Sequence, residues 1–298
     1  MSAVRLATRG SALALVQAEI VSVAIGGAEV VQVRNEEPGV DDKERWVAGV
    51  ERALLAGKAD IGVHSAKDLP GELPEGLAII GVPEREEPSD ALIGEASSLD
   101  DLAEGATVGT ASLRRRSQLL AARPDLEITD LHGNVDTRLA KLAAGEYDAI
   151  VLASAGVRRL GREREISFRF EIDDLVPAPG QGCLAIEALS DHDGPGVAEA
   201  AEITDRNALI ELTAERAAVR ALAASCETPV GICARVEGDE LVIRGYAGLA
   251  DGGAWVRDRI SGDAGQPVAL GEALVERMVA AGARVILDQA ELEAAKTG

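Results

Sequence analysis

Strand-like and helix-like segments alternate through the first two-thirds of this 298-residue chain. Residues 4–7 have the apolar character of a strand, and Leu13, Val16 and Ile20 follow at helical spacing. The alternation continues with strands predicted at 29–33, 60–63, 77–82, 107–109, 126–129 and 148–152, and with helices at 112–122, 135–144 and 153–160. Short connections between alternating strands and helices predict an α/β fold.

Two segments without periodicity divide this pattern. Residues 82–90 are charged and flanked by proline, and residues 175–182 are rich in proline and glycine. We interpret them as two crossings between α/β lobes, which implies a hinge and a cleft.

The pattern changes after the second lobe. A long helix at 207–224 precedes strands at 230–236, 241–246 and 255–260 and a helix at 269–281. We therefore predict an α+β third domain with an antiparallel sheet. The expected division is domain 1 at 1–83 and 177–202, domain 2 at 84–176, and domain 3 at 203–298.

The charge balance excludes several classes of partner. Acidic residues outnumber basic ones 51 to 30, and the formal net charge is −21. Such a surface repels nucleic acid and anionic membranes, so we expect neither as a partner. It also keeps a protein dispersed where salt screens charge, and we interpret it as the surface of a halophilic protein. A merely acidic cytosolic protein is the alternative.

The cysteines and the lack of a long apolar run favour a cytoplasmic location. Cys183, Cys226 and Cys233 cannot all pair and are not spaced as zinc ligands, so no metal is expected. No run of about 18 apolar residues is present, and the first residues lack a signal-peptide pattern. Cys183 and Cys233 lie in apolar strand-like runs, whereas Cys226 lies on a loop with Pro229 and Gly231 and is expected to be exposed.

Polar residues gather where predicted strands end. Ser11, residues 64–68 and residues 110–115 each follow a strand, and ligands of open α/β sheets bind at this edge. Helix N-termini at the edge offer N–H groups to an anion. Ser11 and Ser112 could instead serve only as helix caps, and Asp68 could merely close a turn.

Consecutive arginines at 114, 115 and 116 stand out in so acidic a chain. Guanidinium groups bind carboxylates through two parallel hydrogen bonds, which favours a carboxylate ligand. Solvated helix ends that pair with nearby glutamates are the alternative.

The segments that carry these residues resemble the porphobilinogen deaminase family in order and spacing. The resemblance covers nearly the whole chain, and the matching stretches are 7–11, 59–70, 109–115, 133–139, 145–150, 155–161, 177–182 and 226–231.

The resemblance implies a fold and an activity. It implies two domains like those of type 2 periplasmic binding proteins and a small third domain. It also implies a dipyrromethane cofactor, joined to Cys226 by a thioether and made from substrate units. The enzyme would join four porphobilinogen molecules head to tail with loss of ammonia, and water would release the linear product hydroxymethylbilane. A monomer is expected.

The resemblance also implies residue roles. Asp68 would stabilise the cationic azafulvene left when ammonia departs, and would shuttle protons. Besides Cys226, the residues implied to hold the cofactor are Ser65, Lys67, Thr110, Ser112, Arg114, Arg115, His132 and Arg138. Those implied to hold the substrate, whose acetate and propionate arms suit guanidinium groups, are Arg9, Ser11, Lys43, Arg159 and Gln181.

The chain departs from the family pattern in places. His132 stands where family members usually have arginine, so either an imidazolium or another guanidinium such as Arg116 would fill that role. Residues 43–46 replace a glycine-containing segment and follow a shortened loop, and residues 224–225 replace paired glycines.

Two rival functions belong to other classes. A non-catalytic, two-lobed anion-binding protein would share the lobes and the hinge but would not need Cys226, Asp68 or a third domain. A degenerate deaminase homologue retained as an interaction protein is the other alternative, motivated by His132 and the short loop.

Overall fold

The structure, a computed structural model, describes residues 3–33, 42–223 and 228–297, and for residues 42–46 and 295–297 it describes the backbone alone. The predictions made for Cys226 and for the side chain of Lys43 fall outside the described part of the chain. Strands and helices are numbered along the chain as β1 (Val4–Arg9), α1 (Ala12–Ala24), β2 (Ala28–Val33), α2 (Asp42–Leu55), β3 (Ile61–Ser65), β4 (Leu77–Gly81), β5 (Asp90–Gly94), β6 (Thr107–Gly109), α3 (Leu113–Ala122), β7 (Glu127–Thr129), α4 (Val135–Ala143), β8 (Ala149–Ala153), α5 (Ser154–Arg159), β9 (Phe168–Arg169), β10 (Leu184–Leu189), α6 (Val197–Glu202), α7 (Arg206–Leu222), β11 (Val230–Glu237), β12 (Glu240–Gly248), β13 (Trp255–Asp263), α8 (Pro267–Ala280) and α9 (Ala283–Thr297).

The first sheet has the strand order β2-β1-β3-β10-β4. β1 runs parallel to β2 and β3, whereas β10 is antiparallel to β3 and β4. α1 packs Ala18 and Val21 with Leu6 and Ile61 in one core cluster. α2 places Val50 in a second cluster, with Ala7 from β1. Because helices cover both faces of the sheet, the sequences of its central strands are continuous apolar runs.

The second sheet repeats this plan with the order β7-β6-β8-β5-β9. β6 is parallel to β7 and β8, and β5 is antiparallel to β8 and β9. In each sheet an antiparallel strand follows a crossing, since β5 comes after the first and β10 after the second. This exchange of strands gives two α/β lobes, as the sequence predicts.

The first crossing is slightly shorter than predicted. The segment expected to be irregular through Asp90 ends at Ser89, because Asp90 is the first residue of β5. β10 was likewise not predicted, although its residues are almost entirely buried.

The third part of the chain is an antiparallel meander, β11-β12-β13, covered by helices. Leu222 of α7, Ile232 of β11 and Leu274 of α8 share one core cluster. The predicted α+β character is therefore confirmed, while the terminal helix α9 was not predicted. Among the described residues, no helix is long and apolar enough to cross a membrane.

A buried network of ion pairs and hydrogen bonds, centred on Arg85, joins both crossings to the third part of the chain. Arg85, on the first crossing, donates to Glu211 at 3.0 Å and Glu215 at 2.8 Å on α7, and to the Gln181 carbonyl on the second crossing at 3.0 Å. Glu215 also accepts from the backbone N–H of Gly180. Removal of one charged partner from such a buried network is strongly destabilising, because it leaves a buried charge without a counter-charge.

Candidate active site

A cleft with a cavity volume of about 50 Å³ opens at the carboxyl ends of β1 and β3, lined in part by Arg9, Ser11, Gln17, Ser65 and Asp68. Ser11 is the N-cap of α1, and its Oγ accepts a hydrogen bond from the N–H of Ala14 at 3.3 Å. Gln17, which the sequence analysis did not single out, donates to Ser65 Oγ at 2.8 Å. The first lobe thus brings together Arg9, Ser11, Ser65 and Asp68, four of the predicted residues.

Asp68 ends a short 3-10 turn that follows β3 directly. One carboxylate oxygen lies 3.9 Å from Arg9 Nη1, and its side chain is 16% exposed. The carboxylate is therefore accessible from the cleft while held near one cation. This geometry leaves it able to face a second positive charge.

The charge of Lys67 interacts both with Asp68 and with charged residues of the second lobe. Burial lowers the pKa of Lys67 to about 8, opposed by the charges of Asp68 and Asp90 and reinforced by those of Arg114 and Arg115. Although the side chain as a whole keeps part of its surface exposed, its ammonium group is thus poorly solvated. A desolvated ammonium among other cations gains from the approach of an anion.

Asp90 organises the arginine cluster and was missed at the sequence level. It accepts from Arg114 Nη1 at 2.7 Å and from Arg115 Nε and Nη2 at 2.9 and 2.7 Å. Burial opposes ionisation, but the two guanidiniums hold the pKa of Asp90 well below its usual range. Asp90 therefore fixes both arginines, and the further donations of Arg114 to Val176 O and of Arg115 to Val151 O complete the arrangement.

Three cations of the predicted site lack a carboxylate partner. Among the described residues, Lys67, Arg138 and Arg159 make no direct ion pair with a carboxylate. Burial lowers the pKa of Arg138 to about 10, with the nearby charge of Arg115 adding to the effect. Burial also lowers the pKa of Arg159, whose Nη2 donates to the Gly182 carbonyl. Positive charge is therefore in excess here, which is the electrostatic pattern of an anion-binding cleft.

Three further residues of the predicted site, Thr110, Ser112 and Gln181, form hydrogen bonds within the protein. Thr110 Oγ1 accepts from the Ser112 N–H at 3.2 Å. Ser112 occupies the N-cap position of α3, but its side chain makes no capping hydrogen bond, so the predicted cap is only positional. The buried Gln181 amide donates to Pro88 O at 2.6 Å and to Asp90 at 3.0 Å, which links the second crossing to the arginine cluster.

His132 lies at the exposed rim of the second lobe. Its side chain is 72% exposed, and Nε2 lies 3.9 Å from an Asp130 carboxylate oxygen. The same carboxylate lies 3.8 Å from Arg116 Nη2. His132 and Arg116, the two candidates to replace the arginine usual in the family, therefore share Asp130 as an acidic neighbour. Neither of them contacts Asp90.

Comparison with models of protein families shows the family to which this chain belongs. The family model "Porphobilinogen deaminase, dipyromethane cofactor binding domain" matches residues 4–194, and "Porphobilinogen deaminase, C-terminal domain" matches residues 209–280. The chain belongs to the porphobilinogen deaminase family.

Relatives of the porphobilinogen deaminase family match almost end to end. The porphobilinogen deaminase of Roseiflexus sp. (strain RS-1) is 44% identical over 297 residues, which cover 95% of this chain and 97% of the relative. That of Campylobacter concisus (strain 13826) is 40% identical over 308 residues, covering 98% and 99%. The L-cystine solute receptor of Neisseria gonorrhoeae in its open conformation is 13% identical, covers 67% of this chain and 84% of its own, and has a TM-score of 0.40, too low to decide anything about this chain.

The cationic residues of the predicted site fit the cofactor that the family model names. A dipyrromethane built from substrate units carries an acetate and a propionate arm on each ring, so it brings several carboxylates. Lys67, Arg138 and Arg159, which form no ion pair with any carboxylate that the structure describes, offer matching donors. Among the described residues, no group of three or more histidine, cysteine or acidic side chains could hold a metal ion.

Proposed function

We propose that this protein is a porphobilinogen deaminase, a transferase that joins four porphobilinogen molecules head to tail with loss of ammonia and releases hydroxymethylbilane. The observation that carries the proposal is the combination of nearly full-length family matches with a cleft where the Asp68 carboxylate lies beside the cations Arg9 and Lys67. The proposed primer is a dipyrromethane held by a thioether to Cys226, and it supplies the pyrrole carbon to which the first substrate is joined.

We propose Asp68 as the catalytic residue. When ammonia leaves the aminomethyl group of a substrate, positive charge spreads over the pyrrole ring and its N–H. A carboxylate fixed beside that N–H stabilises the charge as it develops and can accept a proton. Arg9 Nη1, 3.9 Å from a carboxylate oxygen of Asp68, fixes a positive charge beside this group.

The cationic groups are proposed to hold the carboxylate arms. Lys67, Arg138 and Arg159 have donors that no described carboxylate engages. Arg114 and Arg115 are anchored by Asp90, so they present their remaining donors and their charge in a fixed geometry. Ser11, Ser65, Thr110, Ser112 and, with its side chain outside the described part, Lys43 are proposed to add shorter hydrogen bonds, with Gln181 acting by holding Asp90.

Intact-protein mass spectrometry combined with a turnover assay tests the proposal. We expect the purified protein to exceed its sequence mass by one dipyrromethane, and to consume porphobilinogen while releasing one ammonia per molecule joined. A protein with added mass but without turnover would be the degenerate homologue. An unmodified chain that binds porphobilinogen without consuming it would be the anion-binding protein.

We further propose a cytoplasmic, monomeric and halophilic protein that acts on porphobilinogen and binds neither nucleic acid nor membranes. The free, buried thiols of Cys183 and Cys233 suit a reducing compartment. The net charge of −21 supports repulsion of anionic polymers and a requirement for salt.

The salt requirement gives a direct prediction. In dilute buffer the surface carboxylates repel one another, and molar KCl shortens the Debye length to about 3 Å. We expect the melting temperature to rise by several degrees between dilute buffer and molar KCl, at roughly 2–4 °C for each kcal/mol of relieved repulsion. Sucrose at matched osmolality is the control. A melting temperature that does not change with KCl would refute the halophilic interpretation.

A further inference from the structure

The turn Ala66–Asp68, which presents Asp68 to the cleft, rests on the end of the second crossing. The N–H of Ala66 donates to the Cys183 carbonyl at 3.1 Å, and the N–H of Cys183 donates to the Gly180 carbonyl at 3.1 Å. Ala66 is buried, at 4% exposure, and packs in the same apolar cluster as Cys183. Residues 180–183 therefore form the support behind this turn.

Gly180 approaches the turn more closely than a residue with a side chain could. Its φ is +74°, in the left-handed region that favours glycine. A Cβ at Gly180 would lie 2.8 Å from the Ala66 carbonyl carbon and 2.8 Å from Lys67 N. Non-bonded carbon atoms settle about 3.5–4.0 Å apart. A side chain at Gly180 would therefore force one of the two backbones to shift by several tenths of an ångström.

The crossing is held on its other sides and has little freedom to take up that shift. The N–H of Gly180 donates at 2.5 Å to Glu215 of α7, a fully buried carboxylate that also pairs with Arg85 at 2.8 Å. The buried side chain of Gln181 donates to the Pro88 carbonyl at 2.6 Å. The second crossing is thus fixed both to the third part of the chain and to the first crossing.

The turn, in contrast, is open on the side of the cleft. Lys67 and Asp68 are both half-buried, and Asp68 lines the cleft. Crowding behind the turn would therefore push the Asp68 carboxylate into the cleft and change its separation of 3.9 Å from Arg9 Nη1. A displacement of about 1 Å of a group that acts on the reacting atoms can cost about 100-fold in rate.

We propose that Gly180 is a positioning residue: its lack of a side chain lets the turn Ala66–Asp68 sit against the second crossing, which sets the place of the Asp68 carboxylate in the cleft. Glu215 fixes Gly180 in turn, so a residue of the third part of the chain helps to determine the geometry of a site in the first lobe. The catalytic part of this proposal rests on the proposed function, whereas the seating of the turn does not.

Gly180→Ala adds one methyl group to this contact. We expect the variant to keep the mass of its cofactor and to lose roughly 10- to 100-fold in kcat, measured per cofactor-loaded molecule, because Asp68 is displaced. KM for porphobilinogen should change by less than about threefold, since the displaced carboxylate is proposed to act in the transition state rather than in substrate binding.

Gly105→Ala is the matched control for backbone strain. Gly105 has a φ of +73°, and a Cβ there would have no atom within 4 Å. Alanine at a left-handed position is strained, so both variants should melt earlier than the wild type. Only Gly180→Ala should lose kcat, because only its methyl group presses on the turn.

Ala66→Val enlarges the same contact from the side of the turn. Ala66 Cβ lies 3.0 Å from the place of a Cβ at Gly180, and valine at residue 66 adds no strain at a left-handed position. We expect Ala66→Val to lower kcat as well. This variant keeps the proposal testable if Gly180→Ala does not fold.

Crystal structures of the variants test the seating of the turn without any assay of turnover. With the first sheet superimposed on that of the wild type, Gly180→Ala should show residues 66–68 displaced toward the cleft and residues 180–183 in place. Gly105→Ala should show neither change.

Four results would overturn the proposal. They are a wild-type kcat in Gly180→Ala, a wild-type kcat in Ala66→Val, an equal loss of kcat in Gly105→Ala, and a crystal structure in which the crossing moves and the turn does not. A merely structural role would lower the melting temperature and leave kcat of the folded protein unchanged. A wild type that consumes no porphobilinogen would contradict the proposed function instead, and the crystal structures would still decide the seating of the turn.

Discussion

Cys226→Ser should yield a folded chain whose intact mass equals that of its sequence, without a stably attached dipyrromethane. A serine hydroxyl ionises far less readily than a thiol and cannot form the thioether. We expect loss of attachment to be complete rather than partial, and elongation activity to be lost with it. Intact-protein mass spectrometry of the purified variant is the measurement.

The other two cysteines provide matched controls. Burial raises the pKa of the thiols of Cys183 and Cys233 to about 12, so almost no thiolate is present at neutral pH. Cys183→Ser and Cys233→Ser should therefore keep the added mass, although each places a hydroxyl in the core and should melt earlier. A Cys226→Ser protein that retains the cofactor would show that another group carries it.

Asp68→Asn should fold and carry the cofactor but turn over about 100- to 1000-fold more slowly. Asparagine keeps the size of the side chain and removes the charge that we propose stabilises the developing cation of the substrate ring. Loss of one preorganised stabilising group costs about 2.7–4 kcal/mol in comparable sites. The effect should fall on kcat and on kcat/KM alike, as expected for an interaction made in the transition state.

Asp251→Asn is a suitable control for this variant. Asp251 is exposed on a turn of the third part, where its side chain accepts from the Gly253 N–H and an asparagine could do the same. Its activity should match the wild type. Turnover of Asp68→Asn within about threefold of wild type would assign the proton chemistry to a different residue, since a group acting on the developing charge is worth far more.

The parts of the fold that follow from local pattern were predictable. The periodic segments that become β1, α1, β3 and α3 were found near their true bounds, because their apolar residues face a core at a fixed spacing. Residues that follow these strands, such as Ser11 and Asp68, line the cleft at the sheet edge, as the sequence predicted.

The missed features depend on pairs that are distant in sequence. Asp90 was read as the end of a linker, and its role becomes visible only when β5 brings it to Arg114 and Arg115, 24 and 25 residues away. Glu187 reaches His64 across 123 residues because β10 inserts beside β3. Single-sequence periodicity carries no information about which strands become neighbours, so neither pair could be derived from it.

The ion-pair network at Arg85 has a mechanical consequence for a protein that must accommodate a lengthening product. Arg85 and Gly180 belong to the two crossings, and both are bonded to Glu215 of the third part. We therefore expect a change of tilt between the lobes to turn about this point, with α7 moving together with it. Since α7 ends shortly before Cys226 in the sequence, the proposed attachment point would stay near the axis of rotation. The opening of the lobes would then make room at the free end of the growing chain and leave its origin in place.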